Sequence, residues 1–429
     1  VRLDHVLRYA EPLDEPGCYF MDTPGNDLES IAGEVAGGAN LIFFTTGNGS
    51  ITNFPFVPTL KFVTTSGRFA MLADEMDVNA GRYNDGEAMA DLGDEVFELA
   101  RAVASGKRSK GERAGHSQVQ LWREWAQTDD RQLARITSAP GPVGVPLAAR
   151  ACEPSTLRYE AFDAERGAAI DQVGLVMPTS LCSGRIADLI AAGLNERRPA
   201  DAAVTRYVAL VHTEGCGSAN TEDLFLRTLT GHLRHPSVRR ALLLEHGCEK
   251  THNDAVRHYL AGAGVAEERF GWASIQLDGG IGGVGRKVAD WFEDSLDGLA
   301  LPGTTSADAS SLSVGLLASG ELPGHAAAAL AGLAAGLVAA GGTVVVPSSG
   351  AIAGNADFAT ALLAAGEPWR TTLAYGESPT APGLHVMDAP TAHPTEISTG
   401  LGGSGVQVMV GHIDSFPIHA HPLVPLLQV

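Results

Sequence analysis

Val173-Gly174-Leu175-Val176-Met177-Pro178-Thr179-Ser180-Leu181-Cys182-Ser183-Gly184 decides the fold. Val173 to Met177 is a short apolar run ended by a proline, the pattern of a strand covered on both faces. A helical pattern from Gly184 to Leu194 follows it directly. The same unit recurs downstream as strand Arg206 to Val211 with helix Glu222 to Leu233, and strand Ala241 to Leu244 with helix Asp254 to Leu260. A last unit pairs a strand near Trp272 to Leu277 with a helix over Lys287 to Phe292. Right-handed crossovers put such strands in one parallel sheet with their carboxyl ends on one edge. The expected fold class is therefore α/β: Rossmann-like, mostly parallel sheets with helices on both faces, in two or more domains.

Upstream, strands are expected at Cys18 to Met21, Ala39 to Phe44 and Leu60 to Val63, and helices over Leu28 to Ala36, Phe69 to Leu72 and Ala88 to Ala104. The pattern weakens from Ser105 to Arg150, and Pro140-Gly141-Pro142 marks a linker. Downstream, the apolar stretch Ala326 to Val346 is mostly Ala and Gly and is broken at Gly341-Gly342, so it reads as a buried helix and the strand Thr343 to Val346. Pro382-Gly383-Leu384-His385-Val386-Met387-Asp388-Ala389-Pro390 repeats Pro16-Gly17-Cys18-Tyr19-Phe20-Met21-Asp22-Thr23-Pro24. Gly402-Gly403 then matches Gly37-Gly38, and Val424-Pro425 echoes Val57-Pro58. The sequence reads as the tail of one module and a truncated second one: residues 1–140 a first-module domain, 141–170 a linker, 171–375 a central α/β domain, and 376–429 a second copy of the first.

The balance of 50 acidic against 30 basic residues, a net charge of -20, opposes binding to nucleic acid or an anionic membrane. A small anionic substrate then needs a local positive group or a metal. Five cysteines, at 18, 152, 182, 216 and 248, do not form a disulfide framework, and a reducing cytoplasm is expected.

Three segments leave consecutive strands of the central block: the loop carrying Cys182, then His212-Thr213-Glu214-Gly215-Cys216-Gly217, then His246-Gly247-Cys248-Glu249. Open α/β sheets bind ligands at this edge, where loop amides and helix N-termini offer positive charge. A cysteine in such a loop is more often a small buried hydrophobe, so the convergence of several carries the expectation. Glu249 suits a base or a ligand, while Glu214 reads as a solvated acid. In the first block, Met21-Asp22-Thr23-Pro24-Gly25-Asn26-Asp27 and Thr45-Thr46-Gly47-Asn48-Gly49-Ser50 have the hydroxyls and glycines of an anion cradle, without the ending of a Walker loop. Asp77-Val78-Asn79-Ala80-Gly81-Arg82 offers a guanidinium for a carboxylate, or else a surface ion pair. Gly280-Ile281-Gly282-Gly283-Val284-Gly285 matches a dinucleotide fingerprint but lacks the later acidic partner, so it is expected to be a tight turn.

At these motifs the sequence resembles the altronate and galactarate dehydratase family. M-D-T-P-G-N-D, A-N-L-I-F-F-T-T-G-N-G-S, the strand around Lys61 and M-D-V-N-A-G are similar to its C-terminal domain, and C-S-G, H-T-E-G-C-G and H-G-C-E to its central one. The resemblance implies dehydration of a sugar acid to a 2-keto-3-deoxy acid with a divalent ion, Fe(II) foremost, Mn(II) or Zn(II) otherwise. It implies Cys182, His212, Cys216 and Cys248 as metal ligands, and His212, Cys216, Glu249 and Asp22 in catalysis. Thr45, Thr46, Gly47, Ser50, Asn79 and Arg82 would hold the substrate. Alternatives are a lyase expelling sulfite from a sulfolactate-type acid and a non-catalytic sugar-acid-binding module. A homo-oligomer, or pairing between modules, is expected to complete the site.

Overall fold

Each short apolar run in the computed structural model pairs with neighbours far away in sequence, and the pairing shows which segments belong together. Residues 2–122, 142, 144–216, 222–414 and 416–429 are described; Pro140 and Gly141 of the expected linker, Gly217 and Ser415 lie outside them.

In the first block β1 (His5–Leu7) pairs with β2 (Tyr19–Met21) in parallel. Helix α1 (Asp27–Gly37) follows, and the Asn26 side-chain oxygen caps it by accepting from the Leu28 and Glu29 amides. β3 (Ile42–Thr46), β4 (Thr59–Val63) and β5 (Val78–Asn79) form a parallel sheet, accompanied by α2 (Ser66–Met71), α3 (Met89–Ala104) and α4 (Lys110–Ala114). β6 (Arg158–Ala164) and β7 (Gly167–Ala169) lead into the central block.

That block runs β8 (Val173–Pro178), α5 (Leu181–Arg197), β9 (Arg206–Ala209), α6 (Glu222–Leu233), β10 (Val238–Glu245), α7 (Asn253–Gly262), β11 (Phe270–Ser274) and α8 (Gly280–Leu296). Its strands pair in parallel in the order β11-β10-β8-β9. Ile186, Val284 and Phe292 cover one face of this sheet, and Leu226, Leu229, Val256 and Leu260 cover the other. This is the expected two-faced α/β layer. The fingerprint-like glycines form the first turn of α8, where the Ile281 amide donates to the Glu75 carboxylate at 2.8 Å. A carboxylate from the first block thus occupies the position where a phosphate would sit.

β12 (Thr304–Asp308) joins β6 and β7 in a small antiparallel sheet. β13 (Ser313–Ser319), α9 (Gly324–Ala339), β14 (Thr343–Pro347), α10 (Gly350–Ala353), α11 (Ala356–Leu362), β15 (Gly383–Met387), α12 (Pro394–Gly403), β16 (Val408–Ile413) and β17 (Leu426–Gln428) complete the chain. Their sheet is all parallel, ordered β15-β14-β13-β16-β17. The boundary expected at 375/376 therefore runs through this sheet, because strands before it are hydrogen-bonded to strands after it. The expected linker also differs: Leu147 and Ala149 form bridges to Leu384 and Leu363, and residues from Arg158 onward are already strand. No helix among the described residues is long and apolar enough to cross a membrane.

The internal repeat is structural. The pairing of Leu7 with Met21 recurs as a bridge from Leu373 to Met387, and Asp22 N–H to Leu7 O recurs as Asp388 N–H to Leu373 O. The Tyr9 hydroxyl donates to Glu29 O, and the Tyr375 hydroxyl to Glu396 O. The register Ile42 with Thr59 recurs as Met409 with Leu426. One detail departs from the sequence alignment. The counterpart of Gly38, at φ 121°, is Gly405 at φ 81°, not Gly403, since Gly405 shares its positive φ and its place between the end of the helix and the next strand, here α12 and β16.

Candidate active site at the strand ends

The loops after β8, β9 and β10 meet at the carboxyl edge of the central sheet, and the first block closes over them. Leu28 of α1 packs on Leu181 and Cys182, with Cys216 alongside. Ile51 enters the core of the central block; Gln276 Nε2 donates to Gly49 O at 2.6 Å, and Gln118 Nε2 donates to Leu181 O at 2.9 Å. The cradle loop and the cysteine loops thus form one junction within a single chain.

Glu249 organises the third loop. Its Oε1 accepts from Thr179 Oγ1 and the His246 amide, each at 2.8 Å, and its Oε2 from the Gly247 and Cys248 amides at 2.6 and 2.9 Å. Burial pushes its carboxyl up, but these amides outweigh burial and hold it below the usual range. Glu249 is an ionised group with its acceptor positions filled. Its oxygens, with His246 and Cys248, form a cluster whose ligand atoms lie within 4.8 Å of one another. Burial pushes the Cys248 thiol up to about 12, although the residue has exposed surface.

Cys182 and Cys216 stand with their sulfurs 3.9 Å apart. Two thiolates bound at about 2.3 Å to one tetrahedral ion stand roughly 3.8 Å apart, whereas a disulfide needs about 2.05 Å. The spacing fits two ligands of one ion. Donating its hydrogen bond to Cys216, and then burial, push the Cys182 thiol up, while accepting that bond lowers the Cys216 thiol, so Cys216 is the more readily ionised of the pair. Sulfur and imidazole donors suit a borderline ion such as Fe(II) or Zn(II).

His212 is placed differently. Its Nε2 donates to Pro178 O at 2.8 Å and its Nδ1 accepts from the Glu214 amide at 3.2 Å. Both nitrogens are committed to backbone, and the ring packs edge-on against Phe225. Asp22 is exposed at the end of β2. From the first block it is Asp27, the first residue of α1, whose charge bears on Cys182 and, after Glu249, on Cys248; its own carboxyl is pushed up by burial.

The cradle residues divide. Thr46 Oγ1 accepts from the Gly49 amide, and Ser50 Oγ bonds Thr52, which shapes the loop, while Thr45 and Gly47 are exposed. Asn79 caps the Gly81 amide and bonds Ser66. Arg82 pairs with Glu95 and Glu87. Asn79 and Arg82 line a cavity of about 150 Å³ with Phe69, Asp77 and Glu95, apart from the cysteines.

Other residues complete the junction. Lys61, in the middle of β4, is buried, and burial pushes its ammonium down while Asp77 and Glu75 oppose that. A Cβ on Gly111 would lie 2.9 Å from Lys61 Nζ and 2.8 Å from Asn53, so glycine leaves the room these groups need. Asn53 Nδ2 donates to His116 O. Burial first, then the charges of Lys61, Arg185 and His246, pushes His116 down to about 4, and His116 Nδ1 and His246 Nε2 are buried without hydrogen-bond partners among the described residues. Lys61 and His246 lay inside quoted motifs without a role; a lysine amid the apolar Leu60-Lys61-Phe62-Val63 was the available signal. His116 and Asn53 had none.

Residues 1–127 match the family model described as D-galactarate/altronate dehydratase, C-terminal, and residues 164–293 match that described as D-galactarate dehydratase/altronate hydrolase, second domain. Altronate dehydratase of Escherichia coli is 32% identical over 118 residues, 28% of this chain and 24% of that protein. Galactarate dehydratase (L-threo-forming) of the same organism is 33% identical over 104 residues, 24% of this chain and 20% of that protein. The (2R)-sulfolactate sulfo-lyase subunit beta of Chromohalobacter salexigens is 28% identical over 123 residues, 28% of this chain and 32% of that subunit. The chain thus matches a third or less of the length of these relatives.

Proposed function

The chain belongs to the galactarate and altronate dehydratase family, its two domain matches together spanning more than half of it, and from that premise we propose that it dehydrates a small sugar acid to a 2-keto-3-deoxy acid. The observation that carries the reading is the junction itself: paired Cys182 and Cys216 sulfurs, the His246, Cys248 and Glu249 cluster, and the first-block residues Asp27 and Lys61, near enough for their charges to act on Cys182 and on His116. Cys182, Cys216 and Cys248 would hold a divalent ion, Fe(II) foremost, with His246 beside them. Bound there, it supplies Lewis acidity for loss of a hydroxyl group. Lys61 is the local cation that a carboxylate substrate needs in a chain of charge -20. His116, kept neutral by burial and with an open Nδ1, would accept a hydrogen bond from a substrate hydroxyl. Glu249 holds the third loop in place. The free cysteines suit a reducing cytoplasm.

The test is an anaerobic assay of the Fe(II)-loaded chain on altronate, galactarate and sulfolactate, reading keto-acid formation and sulfite release separately. Keto acid from a sugar acid, abolished by chelation and restored by metal, is expected. Sulfite release alone would favour the sulfo-lyase reading suggested by the Chromohalobacter relative. Sugar-acid binding without turnover would leave a binding module, and turnover surviving chelation would overturn the metal assignment.

A further inference from the structure

A cavity of about 270 Å³ lies at the amino end of β10, between the β6–β7 turn, the first residues of the strand and the segment that follows α8. Arg166, Arg239 and Arg240 line it, with Asp163, Glu165 and Gln172. At about 3.3 Å per residue, the 8 residues of β10 separate Val238 from Glu245 by roughly 23 Å. The cavity is therefore remote from the cysteine junction, which sits at the carboxyl edge of the same sheet.

The backbone brings the arginines together. Arg239 and Arg240 are neighbours, and a regular strand would send them to opposite faces. The pairing of β10 with β8 slips between Val238 and Arg240, and both side chains line the same cavity. Arg166 reaches it from the β6–β7 turn. Carbonyl groups then hold each guanidinium in place: Arg166 Nη1 donates to Leu233 O at 3.0 Å and His235 O at 3.3 Å, Arg239 Nη2 to Ala300 O at 2.9 Å, and Arg240 Nε to Ser295 O at 3.1 Å. A guanidinium has five N–H groups, so each fork keeps donors to spare. Arg239 Nε is buried without a hydrogen-bond partner among the described residues.

Held in this way, the positive charges repel one another. Burial and then the charge of Arg269 push Arg166 down, and burial and then the charge of Arg240 push Arg239 down. Glu165 opposes both, but it is exposed and shared, pairing with Arg269 and lying 4.0 Å from Arg240. Among the described residues neither Arg166 nor Arg239 pairs with a carboxylate. Bracing loops through carbonyls does not require several charges in one place, and a chain of net charge -20 has acids in excess to pair with them. Anchored guanidiniums with spare donors suit a site whose counter-charge is brought by a ligand.

We propose that this cavity binds the phosphoryl group of a small phosphorylated metabolite, at a site separate from the cysteine junction. A phosphoryl group carries three acceptor oxygens, which guanidiniums arriving from two segments can share, whereas one guanidinium fork already fills a planar carboxylate. Pockets for drug-sized ligands begin at about 300 Å³, so the volume favours a small phosphate ester over a nucleotide.

The test is calorimetric titration of the full chain at low ionic strength, with and without Fe(II), against inorganic phosphate, glucose 6-phosphate and citrate. Saturable binding of glucose 6-phosphate, unaffected by Fe(II) and competed by inorganic phosphate, is expected. Arg239→Gln and Arg240→Gln should each weaken it by about ten-fold or more, while Arg101→Gln on α3 leaves it within about two-fold. In the unsubstituted chain the ligand should slow hydrogen exchange at 163–166 and 236–240 and leave 246–249 unchanged, a readout that stands even where a variant does not fold. Citrate binding without glucose 6-phosphate binding would overturn the phosphoryl assignment. Absence of saturable binding at millimolar phosphate or glucose 6-phosphate, binding that requires Fe(II), or protection at 246–249 in place of 236–240 would overturn the site.

Discussion

At the residue scale, the junction separates groups that bind from groups that build. Cys216 is the more readily ionised thiol of its pair with Cys182, and His212 has neither nitrogen free. Cys216→Ser should therefore weaken divalent-metal affinity by about ten-fold or more, and His212→Gln should leave it within about two-fold while loosening the loop; metal titration followed by calorimetry separates the two. Equal losses would restore His212 as a ligand. Lys61→Met keeps the shape of the buried stem and removes its charge. It is expected to raise KM for a sugar acid by about ten-fold or more, since a charge-assisted hydrogen bond is worth roughly 1.5–3 kcal/mol, and to leave metal content unchanged. Steady-state kinetics with metal analysis checks both. Lys61 was visible in sequence as a charge in an apolar strand, while His116 acquires meaning only because the fold buries it beside the central loops.

At the element scale, helix packing depends on a few close approaches. Helices α6 and α12 meet at Gly231, where a Cβ would come within 2.0 Å of Gly403 O. Gly231→Ala must push the two helices apart and open the core that α6 shares between the central and second-copy sheets. A loss of about 2–4 kcal/mol is expected, read as a lower denaturation midpoint at unchanged m-value. The strands and helices of the central block were legible because a buried parallel strand is an uninterrupted apolar run. The antiparallel sheet of β6, β7 and β12 was not. β12 is exposed along most of its length and pairs with β6 far away in sequence, Asp308 opposite Arg158, while β6 and β7 form a short, half-exposed hairpin, so neither composition nor local period marks them.

At the scale of the whole molecule, the contact between the central block and the second copy has a built-in pH limit. His232 Nδ1 donates to Thr228 O, and its Nε2 lies 3.3 Å from His421 Nε2; His421 Nδ1 accepts from the Leu423 and Val424 amides. That pattern fits two neutral rings, and a further proton would set donor against donor. Burial, opposed in part by its backbone bond, pushes His232 down to about 4; His235 also falls to about 4 through burial, and His421 is lowered as well. The unfolded chain takes up protons near 6.5 while the folded one stays neutral, so this stability is complete above pH 6.5 and is lost as pH falls from 6.5 toward 4. The slope should approach about 1.4 kcal/mol per pH unit for each histidine. Denaturant midpoints across that window check it, and His421→Gln should flatten the slope.

The sequence by itself determined the α/β class, the repeat and the clustering of Cys182, Cys216, Cys248 and Glu249 at strand ends, because apolar runs, turn glycines and βα order are local properties of the chain. The tertiary structure decided which strands share a sheet. β13 and β14 join β15 and β16 across the expected boundary, since strand pairing is a long-range contact that no local pattern encodes. It also decided what each site residue is free to do: two backbone hydrogen bonds occupy His212, three amides and the Thr179 hydroxyl fill Glu249, and folding sets Asp27 and the buried Lys61 and His116 beside the cysteine loops. A side chain's chemistry is written in the sequence. Its solvation and its partners exist only once distant segments meet.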